Sequence, residues 1–226
     1  MSGRRHVLAY SILPATLLAC FQPTVAAQDW LIIPETRIGP ISQETSASEL
    51  TELLGAGGFV LRPANMGEGF CALGALAYAG TADSVEILWV DSTYQRPSEI
   101  RVRGDSSRWQ TPAGVRVGST VKELESLLGG SPVSFMGFGW DYGGNGSWQE
   151  VIDGDTVSVG FYLRPDRESQ EQARADPRYR EIIGDRVVSS DHPLIRSMSI
   201  HVGELRIRWA YPEFTWFCAE DPPADR

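Results

Sequence analysis

A twelve-residue pattern occurs twice in the chain, at 46–57 and 120–131, and it constrains the fold more than any other feature. The two copies read SASELTELLGAG and TVKELESLLGGS, and they lie 74 residues apart. Each copy has a Ser or Thr three positions before a glutamate, which is the capping-box pattern that begins an α-helix. Each also has a glycine after a Leu-Leu pair, and glycine adopts the positive φ of a helix C-terminus at little cost. The repeat therefore predicts two short helices.

Each predicted helix carries three leucines on one face, and this apolar face needs a sheet to cover it. The leucines are Leu50, Leu53 and Leu54 in the first helix and Leu124, Leu127 and Leu128 in the second. Segments of strand-like composition follow the helices. They are 59–62, 71–78, 85–90, 99–103, 133–138, 148–152, 156–163, 195–201 and 205–211. Asp153-Gly154 and Val202-Gly203 have the composition of hairpin turns between such strands.

The order of one helix followed by several strands, seen twice, predicts an α+β fold of two tandem modules. Each module is expected to be a short helix packed on an antiparallel sheet. We place the first module at 28–112 and the second at 113–218. A charged segment with three prolines, 165–193, is predicted as a surface insertion in the second module. The last residues, 219–226, are predicted as a disordered tail.

The N-terminal residues have the three parts of a secretory signal peptide. Arg4 and Arg5 provide positive charge, an apolar run of 13 residues follows at 7–19, and Val25-Ala26-Ala27 is a small-residue cleavage site. Thirteen apolar residues are too few to span a membrane, which takes about 20. A signal peptide is therefore predicted at 1–27, with a mature protein that is periplasmic or secreted.

A second processing site competes with the first. Leu17-Leu18-Ala19-Cys20 resembles the bacterial lipobox, in which the cysteine is acylated and becomes the first residue of the mature protein. The leader would then be 1–19, and the protein would be lipid-anchored in the cell envelope. A lipid on Cys20 would also be its only predicted attachment to a membrane. Cleavage after Ala19 and cleavage after Ala27 are therefore both kept as alternatives.

The chain has three cysteines, Cys20, Cys71 and Cys218. Because Cys20 is either removed or lipidated, the other two are left in a compartment that oxidises thiols. The economical interpretation is a Cys71–Cys218 disulfide closing a loop of nearly 150 residues. The chain-entropy model gives such a loop a stabilisation of about 5 kcal/mol, from which native strain subtracts. Two free, buried cysteines are the alternative.

The charge of the chain excludes one class of partner. The full chain has 20 basic and 29 acidic residues, a net charge of −9, and removal of Arg4 and Arg5 leaves 18 basic residues and a net charge of −11. Nucleic-acid binding needs a basic face that neutralises phosphates, so nucleic acid is not an expected partner. The same acidity disfavours docking on anionic lipid.

The segment 135–148, FMGFGWDYGGNGSW, holds five aromatic residues and five glycines. It is the candidate binding loop, with Trp140, Tyr142 and Trp148 as flat apolar faces and Asp141 as a polar contact. Such a surface suits a protein or a glycan ligand. The alternative is that Phe138 and Trp140 pack in the core while the glycines shape a tight connection between strands.

No motif in the sequence predicts catalysis or a metal site. It lacks the G-x-S-x-G and H-E-x-x-H patterns, and the two histidines outside the leader, His192 and His201, are not at ligand spacing. Four oxygen-bearing residues near the aromatic segment do not match the calcium-loop pattern. They are Asp141, Asn145, Asp153 and Asp155. No catalytic residue, metal ligand or cofactor is therefore predicted.

Two resemblances rest on short motifs. The stretch 115–129, VRVGSTVKELESLLG, resembles the opening of small α+β modules in the β-lactamase-inhibitor-protein fold and in small outer-membrane assembly lipoproteins. Proteins of those families bind other proteins, so the resemblance implies a binding role. The first copy departs from it, because Glu44 stands where Gly118 aligns.

The second resemblance is to an uncharacterised family of secreted bacterial proteins. It rests on Ile38-Gly39-Pro40-Ile41, on GVRVGSTVKELE at 114–125, and on GFGWDYGG at 137–144 followed by Ser147-Trp148. It extends over most of 31–210 and implies no activity.

Together these features predict an exported, non-catalytic binding protein, either inhibitor-like or an envelope accessory. The alternative is a hydrolase of cell-wall or extracellular polymer that uses carboxylates near 135–148. That chemistry needs two carboxyl groups about 5–9 Å apart. Exposed aromatic side chains on the loop would favour binding, whereas a second carboxylate beside Asp141 in a cleft would favour hydrolysis.

Overall fold

The structure is a computed structural model that describes residues 29–67, 69–210 and 214–217. The predicted leader, the predicted tail, Cys20 and Cys218 lie outside the described residues. Four α-helices are present in this part of the chain: α1 (Ala47–Gly58), α2 (Val121–Leu127), α3 (Arg167–Ala173) and α4 (Pro193–Ser197). A 3₁₀ turn spans Pro177–Glu181.

Fifteen strands accompany the helices in the described ranges. Those before α2 are β1 (Ile32–Ile33), β2 (Arg37–Ile38), β3 (Ile41–Ser42), β4 (Phe59–Leu61), β5 (Ala64–Gly67), β6 (Phe70–Ala72), β7 (Gly74–Ala77), β8 (Val85–Trp89) and β9 (Pro97–Arg103). Those after α2 are β10 (Ser134–Met136), β11 (Asn145–Ile152), β12 (Asp155–Pro165), β13 (Val187–Ser189), β14 (Ile200–Arg208) and β15 (Phe214–Phe217).

One nine-stranded antiparallel sheet organises the fold, in the order β13-β10-β11-β12-β14-β9-β8-β7-β4. The predicted α+β class with antiparallel sheet is confirmed. Two separate tandem modules are not confirmed, because β9 of the first half pairs with β14 of the second half. The pairing runs from Glu204 opposite Arg103 to Arg208 opposite Glu99. The halves therefore share one sheet.

Both capping boxes are confirmed. Ser46 Oγ accepts from the Glu49 N–H while the Glu49 carboxylate accepts from the Ser46 N–H, and Thr120 and Glu123 do the same at α2. Gly55, with φ +71°, interrupts the regular helical conformation of α1. These contacts are local, which is why a sequence pattern can predict them.

The three leucines predicted on the apolar face of each helix are not all buried. Leu50 and Leu124 are fully buried in the core, whereas Leu53 is 56% exposed and Leu127 is 43% exposed. The prediction that these last two face the sheet is wrong. Each lies about 60° around the helix axis from its buried neighbour, and such short helices rest on the sheet along a narrow line.

One of the two predicted hairpins forms. Asp153 and Gly154, with φ of +52° and +94°, connect β11 to β12 as predicted. The turn predicted at Val202-Gly203 is wrong, because β14 runs unbroken through both residues. A Cβ at Gly203 would stand 3.1 Å from the Cβ of Arg164, so this glycine permits close approach of a neighbouring strand.

Two segments contribute more to the fold than their sequence suggested. Ile32, Ile38 and Ile41, from the small sheet β1-β2-β3, are fully buried in the core. The segment 165–193, predicted as a surface insertion, supplies α3, the 3₁₀ turn and strand β13 at the edge of the large sheet. This strand pairs with β10, next to the aromatic loop.

The third sheet, β15-β6-β5, covers part of the large sheet on the face away from the core. Ala64 and Ala72 of this sheet pack with Leu88 of β8. Cys71 is 5% exposed on β6 and is disulfide-bonded. The residue opposite it on β15 is Trp216. Because Cys218 lies outside the described residues, its pairing with Cys71 stays a prediction.

Candidate ligand-binding face

The large sheet has two chemically different faces. On the inner face Val159, Phe161 and Leu163 of β12 are buried in the core with Leu50 and Leu124 of the helices. Since successive side chains of a strand alternate between faces, the intervening residues of β12 lie on the opposite, outer face. They are Ser158, Gly160 and Tyr162. The outer face carries charge on one side and a groove on the other.

A ladder of ion pairs crosses β8, β9 and β14 on the outer face. Its carboxylates are Glu86, Glu99 and Glu204, each at most 6% exposed, and its guanidinium groups are Arg62, Arg101, Arg103, Arg206 and Arg208. Arg103 bridges two of the carboxylates, at 2.9 Å from Glu86 and 2.5 Å from Glu204. Three carboxylates against five guanidinium groups leave two positive charges in excess.

The carboxylates lie beneath the guanidinium groups. Arg62, Arg103 and Arg208 are 39% to 49% exposed at their side chains, so solvent meets mostly the positive layer. Burial by itself raises the pKa of the Glu99 carboxyl, but the positive charges of Arg101 and Arg208 outweigh it and hold that pKa below its usual value. The ladder therefore presents a cationic surface on an acidic protein.

A groove of about 500 Å³, which we call the outer groove, lies across β10, β11, β12 and β14 beside the ladder. Its lining includes Glu35, Ser134, Met136, Asn145, Ser147, Ser158, Gly160, Val187, Arg206 and Arg208. Small residues make the floor. Gly160 pairs with both Ser147 and Arg206, and a Cβ there would stand 3.4 Å from the Cβ of Arg206. The absence of a side chain at Gly160 keeps the floor open.

Tyr162 connects the outer groove to the aromatic loop. The guanidinium carbon of Arg206 lies 4.2 Å from the centre of the Tyr162 ring, a cation–π contact. The hydroxyl of Tyr162 donates a hydrogen bond to the backbone carbonyl of Asp141 at 3.3 Å. Groove and loop are therefore parts of one surface.

The tip of the loop is exposed. Trp140 is 66% exposed, Tyr142 is 46% exposed, and Asp141 between them is exposed as well. Within the turn, Gly143 N donates to Trp140 O at 2.8 Å. Gly144 has a φ of +86°, and a Cβ there would stand 2.1 Å from a backbone oxygen, so only glycine fits. The aromatic pair is thus held on a well-defined turn.

Trp148, the fourth predicted member of the binding surface, is buried at 7% exposure, and the prediction that it faces a ligand is wrong. Its ring stacks on Phe161 with 5.6 Å between ring centres. It lies on the inner face because it pairs with Val159 across β11 and β12. The alternative placed both Phe138 and Trp140 in the core. Phe138 is buried, but Trp140 is exposed, so the alternative is correct for Phe138 only.

The most buried carboxylates of the described residues all take part in ion pairs. Five carboxylates are at most 6% exposed among the described residues: Asp83, Glu86, Glu99, Glu125 and Glu204. Each of them is paired with at least one arginine. The hydrogen bond from Arg108 lowers the pKa of Asp83. Burial raises the pKa of Glu99, but the charges of Arg101 and Arg208 hold that pKa below its usual value. A general acid instead has to hold its proton near neutral pH.

The histidines lie beside single carboxylates. His192 Nε2 is 3.1 Å from Glu181, and His201 Nδ1 is 3.2 Å from Asp166. Within the described ranges no three His, Cys, Asp or Glu side chains are grouped as metal ligands. Nor does that part of the chain contain a helix with the length and hydropathy needed to cross a membrane.

Comparisons of the chain with models of protein families, with curated proteins and with solved structures give no match. The two resemblances noted in the sequence therefore rest on their motifs alone.

Proposed function

We propose that this protein is an exported, non-catalytic binding protein whose binding surface is the outer groove together with the turn Trp140–Tyr142. The observation that carries the proposal is the contact of Tyr162 with both Arg206 and Asp141, which joins the two parts into one surface. The surface is built on strands and on a hydrogen-bonded turn, so little conformational entropy is lost when a partner binds.

The chemistry of this surface suits a protein ligand. Tyrosine, tryptophan and arginine are the residues most enriched among those that dominate the energy of protein interfaces. Trp140 and Tyr142 supply exposed aromatic area, and the ladder supplies arginines already oriented by the carboxylates beneath them. Oriented arginines lose less side-chain freedom on binding than free ones.

We also propose that the two halves are copies of one unit, a helix followed by four antiparallel strands. Moving β4, β7 and β8 forward by 74 residues places them at 133–135, 148–151 and 159–163, on β10, β11 and β12. The sheet order supports this, since β4-β7-β8-β9 and β10-β11-β12-β14 meet at their last strands. The resemblance to tandem modules of the β-lactamase-inhibitor-protein fold agrees with a duplicated unit.

Export is part of the proposal and rests on the N-terminal sequence pattern. Support for a leader that ends before Asp29 comes from the contacts of the first described residues. Asp29 pairs with Arg37 at 2.6 Å, and the Trp30 ring lies 4.7 Å from that of Trp109. Cleavage after Ala27 and acylation at Cys20 both keep these contacts.

The test is affinity capture from periplasmic extract with three baits: wild type, Trp140→Ala/Tyr142→Ala, and the control Leu53→Ala/Leu127→Ala. The control removes two exposed apolar side chains, 56% and 43% exposed, from the helices. We expect a partner that the wild type and the control retain and that the aromatic variant loses. The captured partner should then bind purified wild type, and identical partner lists for all three baits would refute the proposal.

A further inference from the structure

The two ends of the outer groove differ in chemistry. At one end Met136 of β10 pairs with Val187 of β13, and Val187 is 73% exposed. At the other end Arg206 and Arg208 project from β14. A ligand that fills the groove therefore meets an apolar surface at one end and positive charge at the other.

Arg206 is positioned to receive an anion. Its guanidinium group lies over the Tyr162 ring, its Nε donates to Glu204, and its side chain is 18% exposed. Among the described residues Nε is the only one of its nitrogens that donates a hydrogen bond, which leaves the two Nη groups for a ligand. Two neighbouring N–H donors match the two oxygens of a carboxylate.

An acidic side chain lines the groove together with the two arginines. This side chain, Glu35, accepts a hydrogen bond from the Ser158 N–H at 2.9 Å. A ligand with several negative charges would bring some of them towards the Glu35 carboxylate as well as towards the arginines. A single acidic residue beside apolar or neutral ones fits better.

The spacing of the strands sets the length of the ligand. From β10 to β14 there are three strand-to-strand steps of about 4.8 Å, or about 14 Å in total. An extended peptide advances about 3.3 Å per residue, so its apolar and acidic side chains would be about four residues apart.

From these observations we infer that the outer groove binds an extended segment of a partner protein, with one Asp or Glu on Arg206 and an apolar side chain on Met136 and Val187. The inference rests on the proposed binding function and names the chemistry of its partner. Within the groove itself a peptide is favoured over a glycan, because a sugar ring would need an open aromatic face there. The aromatic residue of the groove lining, Phe135, is buried, and the ring of Tyr162 beside the groove is covered by Arg206.

The binding test uses fluorescein-labelled peptides and fluorescence anisotropy. The probe contains Leu-Thr-Thr-Thr-Glu, and its comparison peptide has Gln in place of Glu. We expect saturable binding of the Glu peptide and at least about tenfold weaker binding of the Gln peptide, since hydrogen bonds to charged groups contribute about 1.5–3 kcal/mol. Equal affinity for the two peptides, or no saturation by the Glu peptide at about 1 mM, would overturn the inference.

Variants of the groove locate the site. Gly160→Val adds a side chain to the floor of the groove and leaves every charge in place. Its control is Gln149→Val, which lies on the outer face of the neighbouring strand but outside the groove lining. We expect Gly160→Val to lose binding and Gln149→Val to keep it. Arg206→Gln should lower affinity for the Glu peptide about tenfold and leave affinity for the Gln peptide unchanged. Binding that none of these variants alters would place the peptide elsewhere.

Two further outcomes separate this inference from the proposed function. An oligogalacturonate that competes as well as the Glu peptide would assign the groove to acidic glycans and overturn the peptide proposal. If Trp140→Ala/Tyr142→Ala loses the captured partner while Gly160→Val and Arg206→Gln keep it, binding through the turn Trp140–Tyr142 stands. The groove as a binding site and the acidic-segment inference then fail.

Discussion

Replacement of Glu99 with glutamine measures how far the ion-pair ladder supports the sheet. Glu99 is fully buried and pairs with Arg101, 4% exposed, and with Arg208, 39% exposed. Glutamine keeps the size of the side chain but removes its charge, so Arg101 is left with Glu86, 3.5 Å away. Breaking a buried ion pair costs about 3–5 kcal/mol because it leaves a buried charge uncompensated. Since Arg208 can turn towards solvent, we expect about 3 kcal/mol.

The assay is urea unfolding of purified protein, with the disulfide intact in every sample. The control is Glu171→Gln, which removes the partner of Arg167 in an exposed pair one helical turn apart. Exposed pairs of this kind contribute about 0.3–0.5 kcal/mol. A loss below about 1 kcal/mol for Glu99→Gln would refute the reasoning, because it would mean that Arg101 is compensated without Glu99.

The loss of stability in Glu99→Gln should depend on pH in a defined direction. Although burial raises the pKa of Glu99, the arginines hold its pKa in the folded protein below the ordinary value. A carboxyl group with a lowered pKa stabilises the fold above its unfolded pKa, about 4.3, and this stabilisation is lost as the pH falls through the folded pKa. The difference between wild type and Glu99→Gln should therefore be full at pH 7 and shrink in acid below about pH 4. A difference that grew in acid would contradict the assignment.

Three other substitutions have expected outcomes. Gly144→Ala places a Cβ at 2.1 Å from the carbonyl oxygen of Leu163 at a φ of +86°, and thermal unfolding should show a loss of more than about 2 kcal/mol. Cys71→Ser should cost about 4 kcal/mol if it opens a loop of nearly 150 residues, and alkylation of the unreduced variant should reveal one new free thiol by mass. The pKa of Asp176 is lowered to about 2, first by its hydrogen bond from the Arg178 side chain, so NMR titration of Arg178→Gln should shift it upward.

Each of these has a matched control. Gly154→Ala tests a positive φ of +94° with open space around the Cβ, so a loss equal to that of Gly144→Ala would show that the clash contributes nothing. Cys218→Ser should match Cys71→Ser in stability if the two cysteines are partners. Arg180→Gln, in the same 3₁₀ turn, should leave the Asp176 titration in place. An unchanged titration in Arg178→Gln would contradict the assigned cause.

The sequence was most informative where the interactions are local. Ser46 with Glu49, and Thr120 with Glu123, form their capping boxes within four residues of chain, so the pattern alone predicts both helix starts. Asp153-Gly154 adopts its turn for the same reason. Val202-Gly203 also ends in a glycine, but it lies inside β14, where Gly203 packs closely on Arg164. That contact is tertiary, so the local pattern does not contain it.

The candidate site was predicted only in part. Trp140 and Tyr142 were singled out correctly as exposed, but Trp148 of the same motif is buried. Along β11 the face of each residue depends on its register with β12, and that register is set by pairing with Val159 and its neighbours. A motif of glycines and aromatics does not contain this information.

By itself the sequence determined the two helix starts, the α+β class and an acidic chain with one aromatic loop, because these depend on neighbours in the chain or on composition. Only the tertiary structure decided that the two halves share one sheet and that a cationic ladder and a groove lie on its outer face. Arg103 meets Glu204 across 101 residues of chain, and Arg208 meets Glu99 across 109. Such contacts arise from strand order and register, which follow from the packing of the whole sheet.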